Sequence, residues 1–165
     1  MDVQNDRLLI AMTDPLGDDA LRLLHAFRAE MLMRYRDEIG PSGPPPPQDE
    51  LGSRGICLIA RCDDRSVACG AFGELDAITA ELKRVYVVSG FRRGGIARRL
   101  VAELERLALG SGFRLVRLET GTRQPEALAL YEACGYARIV PYGRHVGDPM
   151  SVCFEKRLEA RENTV

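Results

Sequence analysis

Residues Arg92-Arg93-Gly94-Gly95-Ile96-Ala97 stand between an apolar, strand-like run and a long stretch whose apolar residues recur every three or four positions. Successive glycines at the mouth of a helix leave backbone N–H groups uncovered. Together with the positive end of the helix dipole, these groups suit a phosphate or pyrophosphate. A phosphate-bearing ligand is the first expectation. Two nucleotide patterns are excluded by what is missing. No Gly-Lys-Ser/Thr ending supplies a phosphate lysine and a magnesium hydroxyl, and no GxGxxG supplies the dinucleotide fingerprint. Gly94-Gly95 alone leave a plain glycine turn before a helix equally open. Metal chemistry has little to work with: the five cysteines (Cys57, Cys62, Cys69, Cys134, Cys153) form no CxxC pair, and the only histidines are His25 and His145. Neither a zinc site nor a disulfide framework is indicated, and the cysteines read as small apolar core residues.

The elements that must hold this turn follow from hydrophobic periodicity. Residues 7–13 read as a short strand, and Asp14-Pro15 as an N-cap with proline at the first helical position. The helix predicted there carries Leu16, Ala20, Leu23, Leu24, Phe27 and Met31 on one face and runs to about Tyr35, packing on a sheet. Five of the nine prolines fall at 41–47, which reads as a surface loop bordering a pocket. Residues 56–61 and 66–75 form a predicted hairpin across Cys62-Asp63-Asp64-Arg65, and a third strand covers 79–88. The stripe Ile96, Leu100, Val101, Leu104, Leu107, Ala108 predicts a helix closed by Gly110-Ser111-Gly112. Leu115, Val116 and Leu118 mark a strand, 125–134 a helix ended by Gly135, and 152–158 a last strand. Strands on both sides of the strand, helix, strand unit at 80–119 imply a mixed sheet with helices on its faces, in the α/β (α+β) class.

Composition limits the function classes. At 165 residues, with 45% hydrophobic and 28% charged residues, the chain is expected to be one globular domain, 1–165, without internal repeats. Lys and Arg total 23 against 24 Asp and Glu, which gives no electrostatic reason to bind nucleic acid or an anionic membrane. Apolar runs reach only five residues, and Asp2 and Asp6 precede the first of them with no basic leader. A cytoplasmic protein without a membrane span is the expectation.

The segment from Glu81 to Tyr136 resembles the GNAT superfamily of N-acetyltransferases. That family's acetyl-CoA signature is Gln or Arg, two residues, Gly, one residue, Gly or Ala, which Arg92, Gly95 and Ala97 match. The resemblance extends to the preceding strand LKRVYVV and to LALYEACGY, where Leu130, Tyr131, Gly135 and Tyr136 fit the family's later motif. The chain departs from it at Ser89, where Pro is common, at Arg93, where Gly is common, and at Gln124, where Asn is common. Backbone N–H groups do the anion binding, so the first two leave the turn intact, and Gln124 keeps an amide. The resemblance implies a mixed, mostly antiparallel sheet of six to seven strands with helices on both faces. It also implies acetyl-CoA as co-substrate and no metal.

By the same resemblance, Val85, Tyr86 and Val87 present free backbone groups to the cofactor, and Arg92, Arg93, Gly94, Gly95, Ile96 and Ala97 hold its pyrophosphate. Gln124 and Tyr131 complete the cofactor site, with Tyr131 donating a proton to the departing thiolate. Glu81 stands where some members carry a general base, and Glu119 is the alternative; ordered water serves in many members. Cys134 has no histidine near it in sequence, and direct transfer needs no thiol nucleophile. His25 reads as helix filler and His145 as a solvated histidine in the loop 141–149, which is expected to border the acceptor. The expected acceptor is a small-molecule primary amine drawn to acidic residues. The alternatives are a protein lysine or amino terminus, and a catalytically silent CoA-binding regulatory module. A homodimer is left open.

Overall fold

The computed structural model describes residues 7–39 and 51–160. In chain order the elements are β1 (Leu8–Thr13), α1 (Asp18–Arg34), α2 (Arg36–Ile39), β2 (Ile56–Cys62), β3 (Arg65–Glu74) and β4 (Thr79–Val87), then α3 (Ile96–Gly110), β5 (Leu115–Gly121), α4 (Pro125–Ala133), β6 (Ala137–Ile139) and β7 (Ser151–Arg157). The strands form one seven-stranded sheet in the order β1-β2-β3-β4-β5-β7-β6. Every neighbouring pair is antiparallel except β4 and β5, which α3 connects by a crossover and which therefore run parallel. This is the mixed sheet that the sequence predicts, and helices cover both faces.

α3 buries Ile96, Leu100, Val101, Leu104 and Ala108 against one face, in a cluster with Leu82, Val116, Leu118 and Phe154. α1 covers the other face through Ala20 and Leu23, over Cys57, Ile59, Cys69 and Ala71. All five cysteines are free, and four of them are buried, Cys134 being half-buried. None of the helices described is long and apolar enough to cross a membrane.

One sequence expectation is corrected, and two elements are added to those expected. α1 begins at Asp18 and not at Pro15, because Asp14 Oδ1 accepts the Leu16 N–H at 2.9 Å and the Asp14 carbonyl accepts the Gly17 N–H at 2.9 Å. That closes a local turn, so Asp14 does not cap the helix, and Leu16 is left 61% exposed. β6 was not expected; it has three residues and no period of its own, and exists because it pairs with β7. The four-residue α2 follows α1 without a sequence break signal. The proline segment 41–47 lies outside the described residues.

Two irregularities mark β4. Its register against β3 shifts between Cys69↔Tyr86 and Ala71↔Lys83, an extra residue on β4 that places Arg84 at φ 58°. Gly70 lies opposite this bulge, where an added Cβ would come within 2.9 Å of Leu104 Cδ1. Against β5, pairing covers Thr79↔Leu115, Ala80↔Val116 and Glu81↔Arg117 and goes no further, although β5 stays paired with β7 to Gly121↔Ser151. From Leu82 onward β4 and β5 part.

Leu104 is fully buried where α3 crosses the bulge. Leu104→Ala should cost about 2–5 kcal/mol, read as a lower denaturant midpoint at unchanged slope.

Candidate active site

A cleft of about 700 Å³, in the size range of small-molecule sites, runs along the parted half of β4. Its walls include Val85, Tyr86 and Val87 of β4, the turn residues Arg92, Arg93, Gly95, Ile96 and Ala97, and Gln124, Leu130 and Tyr131 at and within α4. Every sequence-predicted cofactor residue except Gly94 is on this wall, and Gly94 sits in the same turn. A groove of about 860 Å³ elsewhere, between α3 and the end of β7, is a poorer site. Its Lys156 and Glu105 are already paired at 3.0 Å, and no glycine turn borders it.

The turn has the backbone an anion needs. Arg93 and Gly95 take φ 68° and 80°, and Gly95 is the N-cap of α3 without a side-chain cap. The first helical hydrogen bond runs from the Arg99 N–H to the Gly95 carbonyl at 3.1 Å, so the N–H groups of Ile96, Ala97 and Arg98 precede it. Helix N-termini ordinarily favour acidic side chains. α3 has none in its first turn and instead carries Arg98 and Arg99, with Arg93 ahead of them. That charge is misplaced for the helix and well placed for an anion.

Arg92 behaves differently from its neighbours. Its Nε donates to the Val87 carbonyl at 2.8 Å, and its two Nη atoms donate to the Glu30 carboxylate at 2.9 and 2.6 Å. Its side chain therefore ties α1 to the turn. Glu30 also accepts from Arg34 at 2.8 Å, and Arg34 pairs with Glu126 at the start of α4. Arg123, just before α4, bonds Asp37 at 2.5 and 3.0 Å. These pairs strap α1 and α2 across the cleft to both walls. Sequence reasoning missed Glu30 and Arg34, because nothing local marks a glutamate as the partner of an arginine 62 positions away.

Tyr35 lies beside Gln124, its hydroxyl accepting the Arg123 N–H at 3.2 Å and the Gln124 amide at 3.4 Å. It crosses β5 at Gly121, where any Cβ would collide with it. Tyr131 lies on the α3 side, 7% exposed, its ring 5.7 Å from Tyr136 and 6.0 Å from Phe154. Burial pushes its phenol well above the usual tyrosine range, so it stays protonated at physiological pH. Burial also raises the Cys134 thiol, which argues against a thiolate nucleophile there.

The opposite face of the sheet carries a polar cluster. Glu81 and Glu119 share that face, since Ala80, Val116 and Leu118 are buried on the α3 side and Glu81 pairs with Arg117. Glu81 is engaged: Oε2 accepts from the Tyr142 hydroxyl at 2.7 Å, and Lys83 Nζ lies 3.4 Å from Oε1. Glu119, one repeat of the pleat beyond the last β4–β5 pair, accepts from Ser151 Oγ at 2.9 Å. Its carboxyl is raised by burial, with Asp148 and Glu81 adding. His145, which the sequence reads as solvated, has a side chain only 13% exposed, with Nδ1 3.9 Å from Glu119 Oε2 and its ring against Tyr142. The loop 140–150 thus folds over both glutamates. Tyr142 was missed as well, since only the folded loop brings it to Glu81. His25 is exposed on α1. Among the described residues, no cluster of three or more His, Cys, Asp or Glu side chains could hold a metal.

Known proteins are similar to this chain in sequence and in fold. The sequence profile of the acetyltransferase (GNAT) family matches residues 23–136. The chain is 34% identical over 153 residues to an IAA acetyltransferase of Azospirillum brasilense, covering 90% of this chain and 97% of that protein. Among solved structures, one assigned as an acyl-CoA N-acyltransferase from Klebsiella pneumoniae is similar with a TM-score of 0.78 and 29% identity, covering 94% of this chain and all of that one. A GNAT acetyltransferase from Elizabethkingia anophelis with acetyl-CoA bound superposes with a TM-score of 0.68 at 16% identity, over 93% of this chain and all of that chain; at that identity the likeness is one of fold.

Arg92 first, then Arg34, hold the Glu30 carboxyl below the usual glutamate range, against a burial effect in the other direction. A lowered carboxyl stabilises the fold above the unfolded-state value, about 4.3, and loses that contribution as pH falls through the folded value. Glu30→Gln should therefore cost about 1–2 kcal/mol at neutral pH. The gap to wild type should narrow as pH falls below about 4.3 and vanish once the folded carboxyl is protonated. Denaturant titrations of both proteins across pH check it.

Proposed function

The chain belongs to the GNAT family of acetyltransferases and is an N-acetyltransferase; on that premise we propose that it moves the acetyl group of acetyl-CoA directly to the primary amine of a small molecule. The observation that carries the proposal is a single cleft with an uncapped, arginine-rich helix N-terminus at one end and a buried, neutral phenol on its wall. A pyrophosphate suits the first, and a leaving thiolate suits the second.

The pyrophosphate lies on the N–H groups that open α3, with Arg93 and Arg98 at hand, and pantetheine runs along the free edge of β4. The parted strands bring the thioester into the gap, where backbone N–H groups of β4 can meet the developing oxyanion. The amine nitrogen attacks the carbonyl carbon, the carbon–sulfur bond breaks, and Tyr131 gives its proton to sulfur. An acyl-enzyme is not needed. Glu81 and Glu119, on the face opposite Tyr131, give the acceptor side an acidic character that attracts an ammonium. A small acceptor is supported by the names of relatives: the IAA acetyltransferase above, and an aminoglycoside 6′-N-acetyltransferase with coenzyme A bound, similar in fold at a TM-score of 0.69 and 18% identity.

A screen of amines, amino acids, polyamines, aminoglycosides and lysine peptides, following free thiol released from acetyl-CoA, tests the reading. Thiol release with small amines supports it, and release with peptides alone refutes the small acceptor. Gly95→Glu should abolish CoA binding in calorimetry while the far-ultraviolet spectrum stays native; unchanged affinity in the folded variant sinks the pyrophosphate assignment. Tyr131→Phe should lower kcat by about 10²–10⁴-fold with acetyl-CoA affinity nearly unchanged. A loss below about threefold gives the proton transfer to another group.

A further inference from the structure

We propose that the Glu30–Arg92 pair is a clasp that sets the spacing between the two halves of the CoA site, Glu30 being a positioning residue that acts through Arg92. The clasp rests on the acetyl-CoA reading of the cleft, in which one ligand occupies both the free edge of β4 and the glycine turn.

Those two places are separated by a short connection. The Val88 N–H bonds the Val67 carbonyl of β3 at 2.9 Å, so by the alternation of a strand the N–H and C=O of Val87 point the other way, to the edge that β5 has left. Residues 88–91 then lead to Arg92, where the anion turn begins, and Ser89–Phe91 form a single 3₁₀ turn on the way. Arg92 reaches back over this connection, its Nε donating to the Val87 carbonyl at 2.8 Å. That bond ties the last residue of the free edge to the first residue of the turn.

One hydrogen bond is a loose tie unless the guanidinium itself is held. Glu30 holds it in the two-pronged arrangement that fixes an arginine best, each carboxylate oxygen accepting from one Nη, at 2.9 and 2.6 Å, with both side chains half-buried. The Tyr86 ring lies 5.6 Å from Arg92 Cζ and packs on Phe27 of α1 at 5.5 Å. Arg34, one helical turn beyond Glu30, steadies its carboxylate at 2.8 Å. Glu30, Arg34, Tyr86, Val87 and Arg92 all line the cleft. Three nitrogens of Arg92 are thus spent within the protein, and the pyrophosphate is left to backbone N–H groups with Arg93 and Arg98. Electrostatics alone would not place a carboxylate here, since beside a polyanion site Glu30 repels the ligand. Its geometry has to offset that repulsion.

The linked halves of a ligand bind better together than apart only when their sites stand at the ligand's own spacing. Whole CoA depends on the clasp, whereas its nucleotide half, adenosine 3′-phosphate 5′-diphosphate, lacks the pantetheine arm and does not. Calorimetry of both ligands against wild type and Glu30→Gln separates the possible roles. The clasp requires CoA to weaken about tenfold in Glu30→Gln, while the nucleotide half keeps its affinity or gains from the lost negative charge. Tighter binding of both would leave Glu30 a charge only, and equal weakening of both would leave it a support of the turn; either result overturns the clasp.

In an Arg92→Met background, Glu30→Gln should add no further loss for CoA, and an additive loss overturns the route through Arg92. Should Glu30→Gln not fold, Glu30→Asp, which keeps the charge and shortens its reach, should show the same selective loss. On the amine that the screen turns over best, the effect of Glu30→Gln should fall on the KM for acetyl-CoA, with kcat moved less than about threefold; a loss confined to kcat overturns the clasp. A wild type that binds neither ligand takes down the cofactor reading and the clasp together. One that binds both, with the ratio of affinities unmoved in Glu30→Gln, takes down the clasp alone.

Discussion

Parallel strands joined by a helix would ordinarily hydrogen-bond along their whole common length, and here they do so for three residue pairs only. Everything chemical in the molecule depends on that interruption. Beyond Glu81, β4 keeps its partner β3 on one side and loses β5 on the other, so a strand in the middle of a seven-stranded sheet acquires a free edge indoors. Unpaired backbone groups away from bulk water are costly, which makes such an edge a place for a ligand with amides of its own. The bulge at Arg84 turns β4 just where it parts, and Gly70 lets Leu104 of α3 close in behind it. Tyr131 stands on the α3 face of the sheet and Glu119 on the opposite face.

A second dependence is electrostatic. The turn before α3 collects arginines where helix dipoles favour acids, and one of them, Arg92, is removed from that collection by Glu30. The signature position thus serves two parts of the molecule. Its backbone belongs to the turn, and its guanidinium braces α1, so the motif residue most visible in the sequence acts through a contact the motif does not describe.

What the sequence made legible was what local spacing controls. The stripe from Ile96 to Ala108 has the 3.6-residue period, one buried face and a glycine stop, and α3 runs from Ile96 to Gly110. The hairpin of β2 and β3 followed from its turn residues. Ten of the wall residues of the cleft were named from motif positions, because glycine, arginine and tyrosine at fixed offsets share one strand, turn and helix. The start of α1 was misplaced because Asp14 and Pro15 satisfy the rule for a cap and equally the rule for a tight turn, and Gly17 decided between them. β6, Glu30, Tyr142 and the burial of His145 were not legible for a common reason. Each takes its meaning from a partner on a distant element, and the loop at 140–150 carries no period to reveal which side chains fold inward.

The ion pairs that strap α1 across the cleft have a consequence for ionic strength. At about 0.15 M salt, charges further apart than roughly 8 Å scarcely feel one another, and the Arg34–Glu126 and Arg123–Asp37 pairs are partly open to solvent. Added salt weakens the pull of Arg93 and Arg98 on a polyphosphate, and it also loosens the straps that narrow the mouth of the cleft. The first effect lowers affinity and the second eases entry. Salt should therefore slow capture of the donor less than the arginine count alone suggests, and hasten its escape more.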